Sequence, residues 1–325
     1  MYDRGILKSN SADVLTLCVG NVRVGGTGKS PFVEYLVYYF MEKQLKIATL
    51  SRGYGRKTKG FLQAKHGHTA YDLGDESYQY FKKFKNEMNV FVGENRVNAV
   101  NEIRKMNLGL DLIVLDDAFQ HRALKADYNI VLTEFNRPFY EDSVMPHGRL
   151  RESRKGVSRA NAIIVTKCPD SMQNEEIERV TKKCQKYSGI KTPVYFTKIA
   201  YSKPISLFGK ELGLIDNQPV VLLSGIDNPV PFFQYCKHNY KVVEELRFPD
   251  HHNFTDNELK HVEETVLKAS KGNAVLLTTE KDASRIAFLR EKLSKISVYY
   301  LPIKIHFLQN ETAFKNQLDN WTSAS

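Results

Sequence analysis

Residues 14–31 read VLTLCVGNVRVGGTGKSP and set the architecture expected for the whole chain. The apolar run from Val14 to Val19 leads into a glycine-rich loop, which ends in Gly28-Lys29-Ser30 where a helical pattern begins. This strand–loop–helix order is typical of a phosphate-binding P-loop, because glycines let backbone N–H groups turn toward an anion. An ordinary glycine turn at a strand end is the alternative, and the Lys-Ser pair favours the P-loop.

The side chains of this loop predict a nucleotide site. Lys29 is expected to reach the terminal phosphates, and the Ser30 hydroxyl is expected to ligate Mg²⁺. The spacing departs from G-x-x-x-x-G-K-[ST], since Arg23 stands where the first glycine is usual. The other loop residues expected to hold the phosphates are Gly25, Gly26, Thr27 and Gly28.

The length, charge and cysteine content of the chain limit the kinds of protein it can be. A length of 325 residues with 42% hydrophobic residues predicts two domains, or one large α/β domain with an appendage. The net charge of +10 favours anionic partners such as nucleotides, nucleic acid or acidic lipid headgroups. No apolar run is long enough to span a membrane, and the polar start MYDRGILKSNSAD is unlike a signal peptide. Four cysteines without C-x-x-C pairing indicate a reducing compartment and no zinc site: Cys18, Cys168, Cys184 and Cys236.

The first half of the chain alternates short apolar runs with helical patterns. This alternation predicts an α/β fold with a mainly parallel sheet covered by helices on both faces. The predicted strands are 15–19, 47–51, 90–92, 112–115, 129–132 and 162–166. The predicted helices are 30–43, 76–85, 95–106 and 174–187.

A second, smaller α/β set follows. Its predicted strands are 220–223, 242–248, 274–278 and 298–301, and its predicted helices are 229–236, 256–269 and 283–293. The stretch 193–201 is expected to lead out of the first set, 301–307 to pair with it, and a last helix at 311–321 to return. The predicted division is a P-loop core over 1–198, a second subdomain over 199–303, and a C-terminal strand and helix over 304–325 that return toward the core.

Residues 112–117 read LIVLDD and give the second nucleotide signal. A carboxylate at the carboxyl end of a buried strand lies beside a P-loop and can hold Mg²⁺. Asp116 and Asp117 are therefore candidate metal ligands, the alternative being a strand followed by an acidic turn. Gln120 and His121 add polar groups at the same rim.

Two further loops follow predicted strands or precede helices. Arg52 lies in SRGYGRK, a glycine-rich cationic loop that faces phosphate or is a solvated turn. Asp75 and Glu76 lie in LGDE, ahead of a helical pattern. They are either a helix cap or a general base and a second Mg²⁺ ligand.

Two more segments carry candidate chemistry. Arg151, in PHGRLRE, has the charge to neutralise a phosphoryl-transfer transition state, or lies on a charged surface loop. His251 and His252, in FPDHHNF, point in different directions as neighbours and are unlike a two-histidine metal site. One of them is a candidate proton acceptor, and loop histidines are the alternative.

Taken in order, these motifs resemble the tetraacyldisaccharide 4′-kinase family, the lipid A 4′-kinases of Gram-negative bacteria. The matching motifs, which span nearly the whole chain, are GNVRVGGTGKSP, SRGYGRK, GDE, LDDAFQHR, PHGRLRE, TKCP, FPDHHNF and TTEKDA. The resemblance implies a P-loop fold with a second subdomain that uses ATP and Mg²⁺. It implies transfer of the γ-phosphate to the 4′-hydroxyl of an acylated glucosamine disaccharide phosphate, at the cytoplasmic face of the bacterial inner membrane and with peripheral attachment.

The resemblance also implies roles for particular residues. Asp75 with His251 would form the proton-abstracting pair, His251 being preferred to His252 because it directly follows the aspartate. Glu76 would lie near the metal and Arg151 would be catalytic. Lys29 and Ser30 would bind ATP phosphates and Mg²⁺, and Asp116 and Asp117 would be the Walker B acids. The candidate substrate contacts are Arg52, Gln120, His121 and Glu152.

The sequence departs from the family pattern at two places. Members carry an apolar, basic segment ahead of the YDRGILKS stretch, whereas this sequence begins at Met1-Tyr2. Either the start lies further upstream, or the protein docks on an anionic membrane surface through its cationic loops, at about 1 kcal/mol per well-placed cation. His147 stands where a small residue is expected.

Two other functions are alternatives to the kinase. A P-loop ATPase switch of the partitioning or metallochaperone type is suggested by GGTGKS, but such loops usually place a lysine where Val24 stands. Metallochaperones also need Cys or His pairs that the sequence does not show. Basicity alone suggests a nucleic-acid binder, yet no aromatic-basic repeat is present. We therefore expect no nucleic-acid partner, and no obligate protein partner is inferred.

Overall fold

The apolar run ahead of the P-loop forms strand β1 (Leu15–Gly20) near the centre of a mainly parallel sheet. The structure is a computed structural model that describes residues 2, 7–209, 218–250, 252 and 254–324. β1 pairs in parallel with β5 (Leu112–Asp116) on one side and β6 (Tyr128–Glu134) on the other. The remaining strands of this sheet are β2 (Ile47–Ser51), β3 (Leu62–Gln63), β4 (Asn89–Val92), β7 (Ala162–Thr166), β8 (Val194–Tyr201) and β14 (Ile303–Phe307).

Across the described residues the strand order is β14-β8-β7-β6-β1-β5-β2-β4-β3. The sheet is buried on both faces, which explains why its central strands read as continuous apolar runs. On β1, Leu17 and Val19 pack into one apolar cluster and Cys18 packs into another on the opposite face. The predicted parallel α/β sheet is therefore confirmed.

Helices cover both faces of this sheet. Those that contribute to the cluster around Leu17 are α1 (Lys29–Glu42), α3 (Asp75–Phe84) and α9 (Glu311–Ser323). Those that contribute to the cluster around Cys18 are α4 (Arg96–Lys105) and α5 (Asn174–Ser188). A four-residue helix, α2 (Ala70–Leu73), precedes α3.

The C-terminal strand and helix belong to the first sheet and its cover, as the pattern at 301–321 predicts. β14 lies next to β8, and α9 buries Phe314 completely against Phe32, with ring centroids 5.9 Å apart. Burying a phenylalanine of this kind contributes roughly 1.5–3 kcal/mol. The hydroxyl of Tyr39 on α1 also donates to Asp319 on α9.

A second sheet has the order β11-β10-β12-β13-β9 over the described residues. Its strands are β9 (Ile205–Ser206), β10 (Pro219–Ser224), β11 (Lys241–Arg247), β12 (Val275–Thr279) and β13 (Val298–Leu301). All neighbours are parallel except β9, which is antiparallel to β13. Its helices are α6 (Val230–Asn239), α7 (Asp256–Lys268) and α8 (Glu280–Ile286).

The predicted helix at 283–293 differs in the structure. α8 begins earlier, because the Thr279 side chain caps it by accepting a hydrogen bond from the Asp282 amide. It ends at Ile286, and a 3₁₀ segment continues over Ala287–Leu293.

The chain divides into two units, Met1–Ala200 with Ile305–Ser325 and Tyr201–Lys304. Each contains one of the two sheets. Within the described ranges, no helix combines the length and the apolar composition needed to cross a bilayer. All four cysteines are buried and free of disulfides.

Candidate active site

The P-loop joins β1 to α1 in a conformation that depends on glycine. Gly28 caps α1 with a left-handed φ of 83°, and Gly25 has a φ of 116°. Thr27 between them is buried. Its hydroxyl accepts a hydrogen bond from the Asn21 amide at 2.8 Å, and its carbonyl accepts one from the Thr166 hydroxyl at 2.9 Å. The first N–H groups of α1 follow directly, which is the arrangement that binds phosphate at helix N-termini.

Arg23 stands where the first loop glycine is usual, and its side chain anchors the loop to two acidic residues. Its Nε donates to Asp142 at 2.7 Å, and its Nη1 lies 3.6 Å from Glu134. The neighbouring backbone is held as well, because the Val24 amide donates to the Arg149 carbonyl at 2.8 Å. The irregular spacing therefore reflects a side chain that fixes the start of the loop to the segment after β6.

Asp116 is the last residue of β5 and is almost fully buried. Its Oδ2 accepts a hydrogen bond from the Tyr80 hydroxyl at 3.1 Å, and its Oδ1 has no partner among the described residues. Ser30 hydrogen-bonds the same Tyr80 side chain. Burial, together with the charges of Asp117 and Glu76, raises the pKa of Asp116 to about 7.

Asp117 lies between two cations. Arg151 donates from Nη1 to both of its carboxylate oxygens at 2.9 Å, and the Lys29 Nζ lies 3.6 Å from Oδ1. Its backbone has a φ of 51°, and its amide donates to the Val19 carbonyl at 2.9 Å. Burial by itself raises the pKa of Asp117, but Lys29 and Arg151 outweigh it and hold the pKa below its ordinary value.

Arg151 reaches this position because its own segment runs beside the P-loop. The Arg151 amide donates to the Val22 carbonyl at 2.8 Å, and Arg23 forms a β-bridge with Leu150. From the sequence, Arg151 was expected in a loop between core strands or in a charged surface loop, with no indication of what that loop contacts. The bridge shows why the PHGRLRE segment and the P-loop form one site.

Gln120 contacts Glu152, the residue that follows Arg151. Gln120 Nε2 donates to the Asn21 carbonyl at 2.7 Å and to Glu152 Oε1 at 2.9 Å. Glu152 also accepts from Arg159 Nη2 at 2.9 Å. Both side chains therefore support the P-loop and the Arg151 segment, and their predicted contact with substrate stays a prediction.

The GDE and SRGYGRK loops are in close backbone contact. Asp75 and Glu76 begin α3, and the preceding Gly74 has a φ of 83°. A Cβ at Gly74 would lie 2.8 Å from the Tyr54 carbonyl oxygen, so only glycine fits. Arg52 is exposed at the start of the second loop.

Two residues at this rim were not predicted from the sequence. Tyr80 follows Glu76 by one helical turn, a spacing that indicates a shared face. Arg96 begins α4, after a short loop that follows β4, and is buried, donating to the Gly93 carbonyl at 3.2 Å. The pKa of His121 is lowered mainly because its side chain is partly buried, and further because Arg96 and Arg52 are cationic. Its Nε2 has no hydrogen-bond partner among the described residues.

The second unit gathers its two motifs at one edge of its sheet. Asp282 is fully buried and accepts from the Gly225 amide at 2.9 Å and from Arg285 at 3.0 Å. A Cβ at Gly225 would lie 3.1 Å from the Pro249 carbonyl oxygen. The FPDHHNF and TTEKDA segments therefore meet after β10, β11 and β12.

Of the two histidines in FPDHHNF, the structure describes only His252. His252 Nε2 lies 3.0 Å from each Glu258 oxygen, and its ring stacks on Phe248 with centroids 4.9 Å apart. His252 is thus engaged by the fold of its own unit. His251 lies outside the described residues, and its predicted role stays a prediction.

A Mg²⁺ ion fits the residues around Asp116. Across the part of the chain that the structure describes, no three His, Cys, Asp or Glu side chains converge on a metal position. Mg²⁺ usually takes only one or two protein carboxylates, with waters and substrate phosphates completing the shell. The unpartnered, buried Oδ1 of Asp116 and the nearby Ser30 hydroxyl match that requirement.

Comparisons with known proteins agree over the whole chain. A family model described as tetraacyldisaccharide-1-P 4′-kinase matches residues 1–323. Tetraacyldisaccharide 4′-kinases of Flavobacterium psychrophilum and Flavobacterium johnsoniae are 40% and 39% identical, with 100% and 97% of this chain and 92% and 89% of those proteins covered.

A solved structure gives the same result for the fold. The crystal structure of LpxK from Aquifex aeolicus in complex with ATP matches with a TM-score of 0.74 and 26% identity, covering 99% of this chain and 92% of that chain. These matches favour the kinase over the ATPase switch. The chain belongs to the tetraacyldisaccharide-1-P 4′-kinase family.

Proposed function

We propose that this enzyme transfers the γ-phosphate of ATP to the 4′-hydroxyl of tetraacyldisaccharide 1-phosphate, a step of lipid A biosynthesis. One observation carries the proposal: Asp117 holds Lys29 and Arg151 beside the buried Asp116 at the N-terminus of α1. The names of the curated relatives and the ATP complex of the Aquifex protein support the same reaction.

The P-loop is the proposed site of the ATP phosphates. Backbone N–H groups of Gly25, Gly26, Gly28 and the first turn of α1 would bind them, and Lys29 would reach the terminal phosphates. Thr27 would contribute through the shape of the loop, because its amide already donates to the Gly25 carbonyl. Ser30 and Asp116 would hold Mg²⁺, which neutralises charge on the phosphate oxygens when bound. Glu76, whose charge acts on Asp116, is a further ligand candidate at this position.

Arg151 is the proposed stabiliser of the transferring phosphoryl group. Its contact with both oxygens of Asp117 fixes the position of the guanidinium. A preorganised cation of this kind needs little rearrangement when negative charge develops in the transition state. Asp117 is thereby a positioning residue for Lys29 and Arg151 and a proposed second contact to the metal.

The acceptor side of the reaction is proposed from the motifs. Asp75, at the head of α3, would take the proton of the sugar hydroxyl, with His251 as its partner by resemblance to the family. The loop ahead of Asp75 contacts the backbone of the loop that begins at the exposed cation Arg52, and a cation there suits a phosphorylated sugar. Gln120, His121 and Glu152 are the remaining proposed contacts to substrate.

We also propose peripheral attachment at the cytoplasmic face of the bacterial inner membrane. The substrate carries acyl chains, so the enzyme must meet it at a lipid surface. The net charge of +10 favours an anionic bilayer, with about 1 kcal/mol from each well-placed cation.

The test is transfer of ³²P from [γ-³²P]ATP to the disaccharide 1-phosphate, presented in vesicles that contain anionic lipid. The proposal predicts a labelled lipid product with the full chain and none with Lys29→Ala. ATP hydrolysis with nucleotide-dependent dimerisation and without labelled lipid would support an ATPase switch instead. Pure zwitterionic vesicles separate the membrane proposal from the reaction, since only docking depends on anionic lipid.

A further inference from the structure

We infer that Lys167 is a positioning residue that holds the phosphate-binding loop in shape through the carbonyl of Gly26. The Lys167 ammonium donates to that carbonyl and to a carboxylate oxygen of Glu134. The residue follows β7 directly and has a φ of 56°. The inference rests on the proposed function in one respect, namely that the loop binds the phosphates of ATP.

Packing does not fix this part of the loop. A Cβ added at Gly26 would meet nothing within 4 Å, so the loop is not packed against other atoms on that side. Glycine also loses more conformational freedom on ordering than any other residue. Hydrogen bonds must therefore select the conformation of the loop at this position.

Lys167 and Thr166 together hold two successive peptide planes. Lys167 bonds the Gly26 carbonyl, and the Thr166 hydroxyl donates to the Thr27 carbonyl at 2.9 Å. Because a trans peptide is planar, fixing a carbonyl also fixes the N–H on the opposite side of the same plane. The Gly26–Thr27 plane is held at its other side too, since the Thr27 amide donates to the Gly25 carbonyl at 3.0 Å.

Lys167 acts within a chain of alternating charges. Glu134 Oε1 forms a salt bridge with Lys167, and Glu134 Oε2 lies 3.6 Å from Arg23 Nη1. Arg23 in turn pairs with Asp142. The side chains of Glu134 and Arg23 are each only 10% exposed. Partly buried pairs of this kind are screened less than surface pairs. The chain links the start of the loop at Arg23 to its middle at Gly26.

The test replaces Lys167 by methionine, which keeps the length of the side chain and removes its donors. We expect the affinity for ATP to fall about tenfold, the size of one charge-assisted hydrogen bond. The affinity for inorganic pyrophosphate should fall by the same factor, because the loop and not the nucleoside is affected. The kcat at saturating ATP should stay within about threefold of the wild-type value, since phosphoryl transfer itself does not involve Lys167.

Two variants serve as controls. Lys198→Met is matched, because Lys198 lies on the next strand, β8, and pairs with Asp170. Its side chain is 30% exposed against 25% for Lys167. It should bind ATP and pyrophosphate as the wild type does. The double variant Glu134→Gln/Lys167→Met restores the balance of charge, so it should recover the thermal stability of the wild type while keeping the weak binding. If Lys167→Met alone folds poorly, ATP and pyrophosphate binding are measured on the double variant instead.

Three results would overturn the inference. They are unchanged ATP affinity in Lys167→Met, weakened ATP binding with unchanged pyrophosphate binding, and a double variant that recovers affinity together with stability. Binding is measured by calorimetry without lipid. A wild-type protein that binds ATP but labels no lipid would therefore contradict the proposed function alone.

Discussion

Arg151 donates from a single nitrogen to both carboxylate oxygens of Asp117, at 2.9 Å each, across 34 residues of sequence. The pair joins the LDDAFQHR and PHGRLRE motifs at the carboxyl end of β5. Because Asp117 is engaged by Arg151 and faces Lys29, its neighbour Asp116 is the acid with an oxygen to offer to a metal. The two adjacent aspartates thus have different surroundings and, we expect, different roles.

A double-mutant cycle tests this pair. Arg151→Met and Asp117→Asn should each lower kcat about a hundredfold, because each removes or misplaces the cation that faces the phosphoryl group. The double variant should lose less than the product of the two, since the residues act as a unit. Independent, multiplicative losses in the rate of lipid phosphorylation would contradict the coupling.

Lys29→Ala should abolish most turnover while leaving the fold intact. The ammonium is expected to contact the phosphates directly, so its loss should cost about a hundredfold or more in kcat/KM. Lys43→Ala is the matched control, because Lys43 caps the other end of the same helix and pairs with Asp319 at the surface. Steady-state rates and circular dichroism spectra of both variants check this prediction, and equal losses would refute it.

The raised pKa of Asp116 should make the free energy of unfolding depend on pH. Its pKa is raised from the ordinary aspartate value of 3.8 to about 7 in the folded protein, so the native state binds more protons than the unfolded state between about pH 4 and 7. The contribution of Asp116 to the free energy of unfolding is therefore full at the acid end of this window and is lost as the pH rises. Asp116→Asn removes that dependence.

Urea unfolding without nucleotide or Mg²⁺ measures the effect at about pH 4.5 and 7.5. The free energy of unfolding of Asp116→Asn relative to the wild type should increase from the lower to the higher pH. A difference that stays constant would show that the Asp116 carboxyl titrates normally.

The adjacent histidines give a matched pair of variants. His251→Ala should lower kcat more than it raises KM for ATP, because its proposed role lies in proton transfer. His252→Ala should instead reduce stability, since His252 bonds Glu258 and stacks on Phe248, and its kcat should change little. Steady-state kinetics and thermal melts of both variants distinguish them, and the opposite pattern would assign the catalytic role to His252.

Much of the fold was predictable because its strands are buried on both faces. Runs such as those that form β1, β5 and β7 are mostly apolar, and glycine or acidic residues lie at or soon after their ends. The two-residue strands β3 and β9 gave no periodic signal, being too short for one. The early start of α8 depends on the Thr279 cap, which a hydrophobic pattern does not register.

The candidate site was predictable in its motifs but not in its contacts. Lys29, Asp117 and Arg151 were each singled out, yet nothing in the sequence paired them, because the pairing depends on a β-bridge between Arg23 and Leu150. Tyr80 was missed since a tyrosine on an amphipathic helix is most simply a core residue. Its hydroxyl is what brings Ser30 and Asp116 together.

The most direct measurement locates the phosphate that the enzyme adds. Tetraacyldisaccharide 1-phosphate in anionic vesicles is incubated with ATP and Mg²⁺, and the lipid product is analysed by mass spectrometry and ³¹P NMR. We expect one added phosphate, on the 4′-hydroxyl, with the wild type, and little or none with Lys29→Ala or Asp75→Ala. A product phosphorylated elsewhere, no lipid product from the wild type, or a wild-type rate from Asp75→Ala would contradict it.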